Sequence, residues 1–144
     1  VTGVQTCALP ISECQTILPL LENDFAGLIN KCIEGDLINE EIKWKNKKSI
    51  CVVLTSKGYP DDYKKNVLIK NLENYENSEN QYIFHAGTKF YEEKYFSTGG
   101  RVLNFVSLDN DFKSARSNSI KLIENLNWEN GFYRKDIGFR VIDK

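Results

Sequence analysis

Just before Asp111 the hydrophobic pattern of the chain changes period, and this change constrains the fold more than any other feature. Upstream, apolar residues come in short runs rich in β-branched and aromatic side chains. These are Ser49–Thr55 (SICVVLT), Val67–Leu72, Gln81–Phe90 (QYIFHAGTKF), Lys94–Ser97 and Arg101–Leu108 (RVLNFVSL). Runs of this kind, bounded by Gly, Pro, Asn and Asp, predict strands. Ser49–Thr55 is apolar almost throughout, which predicts a largely buried strand. Gly58-Tyr59-Pro60-Asp61-Asp62, the acidic Asn-rich stretch Glu73–Asn80, Glu92-Glu93 and Gly99-Gly100 carry turn and loop chemistry. Within Gln81–Phe90, Ala86-Gly87-Thr88 interrupts the run and predicts a bulge or a close backbone approach. Downstream, Asp111 caps a predicted helix with Phe112, Ala115, Ile120, Ile123 and Leu126 on one face. Trp128, Phe132, Tyr133 and the tail Asp136–Ile142 end the chain with one more expected strand. Strands first and a helix late predict an α+β domain, not an alternating α/β one.

Ahead of the strands, Ile17, Leu20, Leu21, Phe25, Leu28, Ile29, Cys32 and Ile33 recur at helical steps. Pro19 fits poorly inside one long helix. Two pieces are therefore expected: a short helix before Leu21, and a firmer one over Asp24–Glu34, capped by Asn23 and closed by Gly35. Asp36–Lys48, polar and charged around Trp44, is the candidate linker or domain boundary. Val1–Ser12 (VTGVQTCALPIS) has no period at all. It matches the translation of a common sequencing-library adapter, so it is expected to be a non-native segment and is set aside together with Cys7. On that reading the remaining chain begins at an arbitrary cut, consistent with the absence of methionine.

The 144 residues, 41% hydrophobic and 12% aromatic, can bury a core, which excludes a disordered chain. With 19 basic and 20 acidic side chains, a nucleic-acid binder working through a broad basic surface is excluded. No apolar run reaches the roughly 18 residues that a membrane helix needs. The 15 Lys, 15 Asn and 13 Ile fit an AT-rich coding sequence, which accounts for the charge runs without a binding role. The four cysteines form no Cys-x-x-Cys pair and His85 is the single histidine, so neither a zinc site nor a disulfide framework is expected.

Three stretches carry polar groups suited to chemistry. His85-Ala86-Gly87-Thr88 opens a polar loop in an apolar strand, although no Ser or Cys motif pairs with His85 as a nucleophile. Ser97-Thr98-Gly99-Gly100-Arg101 offers small residues, backbone N–H groups and a guanidinium. That combination suits a phosphate or carboxylate, and equally a hairpin turn with a surface Arg. Tyr133-Arg134-Lys135-Asp136-Ile137-Gly138 could hold an anion but reads more simply as an exposed ion pair of little energetic worth.

In this order and spacing the segments resemble the C-terminal part of the phosphoribosylamine–glycine ligase (glycinamide ribonucleotide synthetase) family. The matching pieces are Glu13-Cys14-Gln15 with Ile17-Leu18-Pro19-Leu20-Leu21, Cys51-Val52-Val53-Leu54, Gly58-Tyr59-Pro60, Phe84-His85-Ala86-Gly87-Thr88-Lys89, Gly99-Gly100-Arg101-Val102-Leu103 and Tyr133-Arg134-Lys135-Asp136-Ile137-Gly138. The family reads Arg-x-Gly-Asp-Pro-Glu at the seam, so Ser12 stands where its Pro falls. A thymine from the adapter in place of the first base of a Pro codon gives Ser. The resemblance implies an α+β fold: the last helices of an ATP-grasp domain over Glu13–Ile42, then a small β-rich C-terminal domain of the rudimentary hybrid-motif type with a packed helix over Lys43–Lys144. It implies a cytoplasmic parent enzyme of de novo purine biosynthesis that joins glycine to 5-phosphoribosylamine, using ATP and Mg²⁺ (or Mn²⁺), and hydrolysing the ATP to ADP and phosphate. The nucleotide and metal residues of the family lie upstream of Glu13, so no catalytic, cofactor or metal residue is assigned here and the fragment is expected to be inactive. Gly99, Gly100 and Arg101 are expected to hold the substrate phosphate, with His85 and Thr88 lining the same cleft. The helical segment is expected to pack on the missing ATP-grasp domain. The alternative is a stand-alone, non-catalytic module of the same fold that holds a phosphorylated ligand or a partner protein.

Overall fold

In the computed structural model the described residues are 13–142; the adapter-like segment Val1–Ser12 lies outside them. Helix α1 (Glu13–Ile17) runs into a 3-10 turn at Leu18–Leu20, where Pro19 occupies the first turn and its missing N–H breaks no helical bond. Helix α2 (Phe25–Glu34) ends at Gly35, whose φ of 77° suits a residue without Cβ. Its cap is Asp24, not Asn23: the carboxylate accepts the Ala26 and Gly27 N–H groups at 3.3 and 2.9 Å. Asn23 instead clamps the following segment, accepting the Lys43 N–H at 2.6 Å and donating to the Glu41 carbonyl at 3.0 Å. That clamp, the 3-10 turn Leu37–Asn39 and a bridge between Leu21 and Trp44 tie the expected linker back to the end of α1.

Seven strands follow in two antiparallel sheets. β1 (Lys48–Ser56), β3 (Gln81–His85), β6 (Arg101–Asp109) and β7 (Gly131–Phe132) form one, in the order β3-β6-β1-β7. β2 (Val67–Ile69), β4 (Thr88–Tyr91) and β5 (Lys94–Ser97) form the other, in the order β2-β5-β4. Ala86-Gly87 does more than bulge a strand: it carries the chain from one sheet into the other. Glu92 and Glu93, with φ of 48° and 58°, make the tight turn that joins β4 to β5.

Ile50, Val52 and Leu54 of β1 are buried, and they stand opposite Ser107, Phe105 and Leu103 of β6. Cys51, Val53 and Thr55 on the other face are half-buried, so β1 alternates and is not buried on both sides. Helix α3 (Phe112–Leu126) packs on the first face. Asp111 caps it by accepting the Ser114 N–H at 2.8 Å. Its buried positions are Ala115, Ser119, Ile123 and Leu126, with Ser119 in place of the expected Ile120. The Ser119 hydroxyl donates to the Ile50 carbonyl at 3.3 Å, a contact that a larger side chain would prevent. The second sheet is anchored to the same core, because Trp128 Nε1 donates to the Leu68 carbonyl at 2.9 Å and Tyr75 Oη to the Leu122 carbonyl at 3.1 Å.

The one further strand expected there is β7, in which Gly131–Phe132 pairs briefly with the end of β1; beyond it Gly138 (φ 78°) turns the tail into a short helix α4 (Phe139–Ile142). No helix among the described residues is long and apolar enough to cross a membrane. α1 lies against the second face of the larger sheet. There the Thr16 side chain meets the Cys51 thiol, which burial pushes up to about 11. At that value the Cys51 thiol stays protonated at neutral pH and packs as a small hydrophobe.

Candidate phosphate cleft

The larger sheet opens at the N-terminal end of β6. Between Leu54 and Thr55 the register slips, so that Leu54 faces Leu103 but Thr55 faces Arg101. Such a bulge re-aims the side chains around it. Gly99-Gly100 precedes Arg101, and four short hydrogen bonds hold this corner. The Gly87 N–H donates to the Arg101 carbonyl at 2.9 Å, and the Gly87 carbonyl accepts the Thr98 N–H at 2.7 Å. Ser56 donates its N–H to the Gly100 carbonyl at 2.7 Å and its hydroxyl to the Gly99 carbonyl at 3.0 Å.

These bonds frame a cleft of about 470 Å³ lined by Gln15, Tyr59, His85, Gly99, Gly100 and Arg101, among others. Four of the five residues expected to bind substrate thus meet in one cleft. The fifth, Thr88, sits behind His85, with Oγ1 2.8 Å from His85 Nδ1. The backbone contributes less than the sequence suggests, since the Thr98 and Gly99 N–H groups both point at the Gly87 carbonyl. Positive charge in the cleft therefore comes from the exposed Arg101 guanidinium, which has no ion pair among the described residues. Arg134, by contrast, forks onto Asp136 at 2.7 and 3.1 Å, the exposed pair that its sequence context suggests.

The glycines are required by close approach. A Cβ on Gly87 would stand 2.6 Å from the Arg101 carbonyl oxygen, and one on Gly100 would stand 2.0 Å from the Tyr59 ring. Tyr59 and Arg101 also line an adjoining, more apolar pocket of about 450 Å³ beside Thr55, Phe132 and Tyr133. Neither Tyr59 nor Gln15 is marked by the sequence as a site residue. Tyr59 lies within turn chemistry and Gln15 on a helical stretch. Asn104, also in the cleft and 5% exposed, had a usable signal as the single amide inside the run RVLNFVSL.

His85 packs against Tyr95 with ring centroids 5.1 Å apart, and burial lowers its pKa below the usual 6.5. The neutral ring is favoured in the folded chain, so the unfolded chain takes up the proton first on acidification. The stability that His85 contributes is complete above pH 6.5 and is lost as pH falls through the lower folded value. An NMR titration of the His85 ring should give a midpoint below 6.5; a midpoint above it would contradict the burial. Among the described residues no three His, Cys, Asp or Glu side chains converge as metal ligands do.

Residues 49–140 match the family of the phosphoribosylglycinamide synthetase C domain. The phosphoribosylamine–glycine ligase of Caldanaerobacter subterraneus is 42% identical over 125 residues, which are 87% of this chain and 29% of that protein. A bifunctional purine biosynthetic protein of Dictyostelium discoideum is 41% identical over 138 residues, 95% of this chain and 17% of its own length. The crystal structure of the Thermotoga maritima phosphoribosylamine–glycine ligase superposes with a TM-score of 0.72 at 27% identity, over 89% of this chain and 31% of that one. The chain thus spans less than a third of the length of these relatives. Its two sheets and packed helix, and the run of residues from β1 to α4, place it in the phosphoribosylglycinamide synthetase C-domain family.

Proposed function

We propose that the chain is the C-terminal part of a phosphoribosylamine–glycine ligase and supplies the phosphate-holding wall of its substrate cleft. The observation that carries this reading is the Arg101 guanidinium, without an ion pair among the described residues, on a rim of glycine backbone. A planar guanidinium holds a phosphate through two parallel N–H bonds, and small residues let the ligand come close to the chain. Gly99 and Gly100 shape the approach, and His85, held by Thr88, lines the same cleft. The whole enzyme would join glycine to 5-phosphoribosylamine while ATP is hydrolysed to ADP and phosphate, in the cytoplasm and within de novo purine biosynthesis. ATP and Mg²⁺ would be held by the part of the ligase upstream of Glu13. The acidic groups described here offer no converging set for the metal, and no chemical step is assigned to them.

On the same reading, residues 13–42 belong to the ATP-grasp domain and residues 43–144 to the C-terminal domain. Phe25, Ile29 and Ile33 of α2, which are 49%, 45% and 78% exposed, would be covered by the rest of the ATP-grasp domain. Two measurements test the proposal. The chain alone, given ATP, Mg²⁺, glycine and 5-phosphoribosylamine, should show no turnover. A chimera in which residues 13–144 replace the matching part of a full-length family ligase should turn over. In that chimera Arg101→Ala should raise KM for 5-phosphoribosylamine by about tenfold or more, with little change for glycine or ATP. Equal rises for all three substrates would make Arg101 structural, and a chimera that never turns over would favour a stand-alone binding module.

A further inference from the structure

Beside the cleft, one polar atom is shut off from water and has no hydrogen-bond partner among the described residues. Gln15 Oε1 is buried and accepts no hydrogen bond from the described residues, and Gln15 lines the same cleft as Arg101, His85 and Asn104. Buried amide oxygens are nearly always paired, and an exception at a cleft calls for a donor from outside. Other unpaired atoms in the molecule do not raise the same question. The Ser49 and Ser107 hydroxyls are buried on β1 and β6 and line neither the cleft nor the adjoining apolar pocket. Asn130 lines a groove where Lys57 and Lys64 are offset by Asp62 and Glu129, so no ligand charge is selected there.

We propose that Gln15 is a second ligand-binding residue of the cleft. It accepts a hydrogen bond from an N–H or O–H on the amine-bearing end of a phosphorylated sugar whose phosphate Arg101 holds. The inference rests on the phosphate reading of Arg101 and adds the group that reads the rest of the ligand. Gln15 lies upstream of the matched C domain, which begins at residue 49, so the ligand bridges two segments of the chain. α1 is held in place for this role, since the Thr16 side chain meets Cys51 on the sheet beneath it. An acceptor there favours ligands with a donor and does nothing for a bare anion.

Calorimetric titrations of the full 144-residue chain with phosphoribosylglycinamide and with inorganic phosphate test the inference, using Gln15→Leu and Arg101→Ala variants. Gln15→Leu keeps the side-chain size and removes the acceptor. It should weaken phosphoribosylglycinamide about five- to tenfold and leave inorganic phosphate within about twofold. The unliganded variant should melt no lower than the wild type, because an unpaired buried amide has been removed. Equal loss for both probes, no loss for either, or a lower melting temperature without ligand would each overturn the role of Gln15. Arg101→Ala should weaken both probes. If it does so while Gln15→Leu changes nothing, the inference fails and the phosphate reading stands. If Arg101→Ala weakens neither, or the wild-type chain binds neither at millimolar concentration, both fail.

Discussion

Gly87→Ala should destabilise the chain by about 1–3 kcal/mol and remove the affinity for phosphorylated ligands proposed for it. The added Cβ would meet the Arg101 carbonyl oxygen at 2.6 Å, the Gly99 Cα at 2.7 Å and the Gly99 nitrogen at 2.8 Å. All three are backbone atoms, so no side chain can swing aside. Relief requires the β3–β4 corner to part from the start of β6. That separation breaks the bonds from the Gly87 N–H to the Arg101 carbonyl and from the Thr98 N–H to the Gly87 carbonyl. The same corner aims Arg101, so stability and binding should fall together. Gly99→Ala is the control: its Cβ has neighbours only at 3.2 and 3.5 Å, and a few tenths of an ångström of adjustment accommodate it. Urea midpoints for the two variants should differ clearly; equal midpoints would mean that the corner is looser than described.

Phe105→Ala should cost about 3–5 kcal/mol, the typical loss for a fully buried phenylalanine. Phe105 is 0% exposed at the centre of β6, opposite Val52 on one side and Ile83 on the other. Set against the roughly 5–15 kcal/mol that a domain of this size has in total, that loss should lower the urea midpoint of the variant by a large fraction. Phe105→Leu, which leaves a smaller void, should remain folded with a lowered midpoint, so the measurement does not depend on recovering the alanine variant. A loss below about 1 kcal/mol for Phe105→Ala would move the centre of the core elsewhere.

The change of period at Asp111 was enough to place α3 and the strands before it, because hydrophobic burial imposes those spacings directly. The glycine pair before Arg101 was equally legible, since turn chemistry is local. Sheet membership was not. Nothing in QYIFHAGTKF says that its two halves join different sheets, because pairing depends on strands distant in sequence. The buried face of α3 was read one residue off at Ile120, since close packing on Ile50 selects the smaller Ser119 over the more hydrophobic neighbour. The last strand was expected but not placed: it is only Gly131–Phe132, and the left-handed turn at Gly138 then sends the tail into a helix. Gln15 escaped notice because an unpaired buried amide is a property of the packed cleft and leaves no pattern in the sequence.

Amide chemical shifts of the isotope-labelled chain, followed as phosphoribosylglycinamide is added, test the central claim that Arg101 and its glycine rim form the phosphate site. Gly87, Gly99, Gly100 and Arg101 should move together, and in Arg101→Ala they should not respond at all. Shifts centred on Lys57 and Lys64 in the polar groove, or a response in Arg101→Ala equal to that of the wild type, would contradict it.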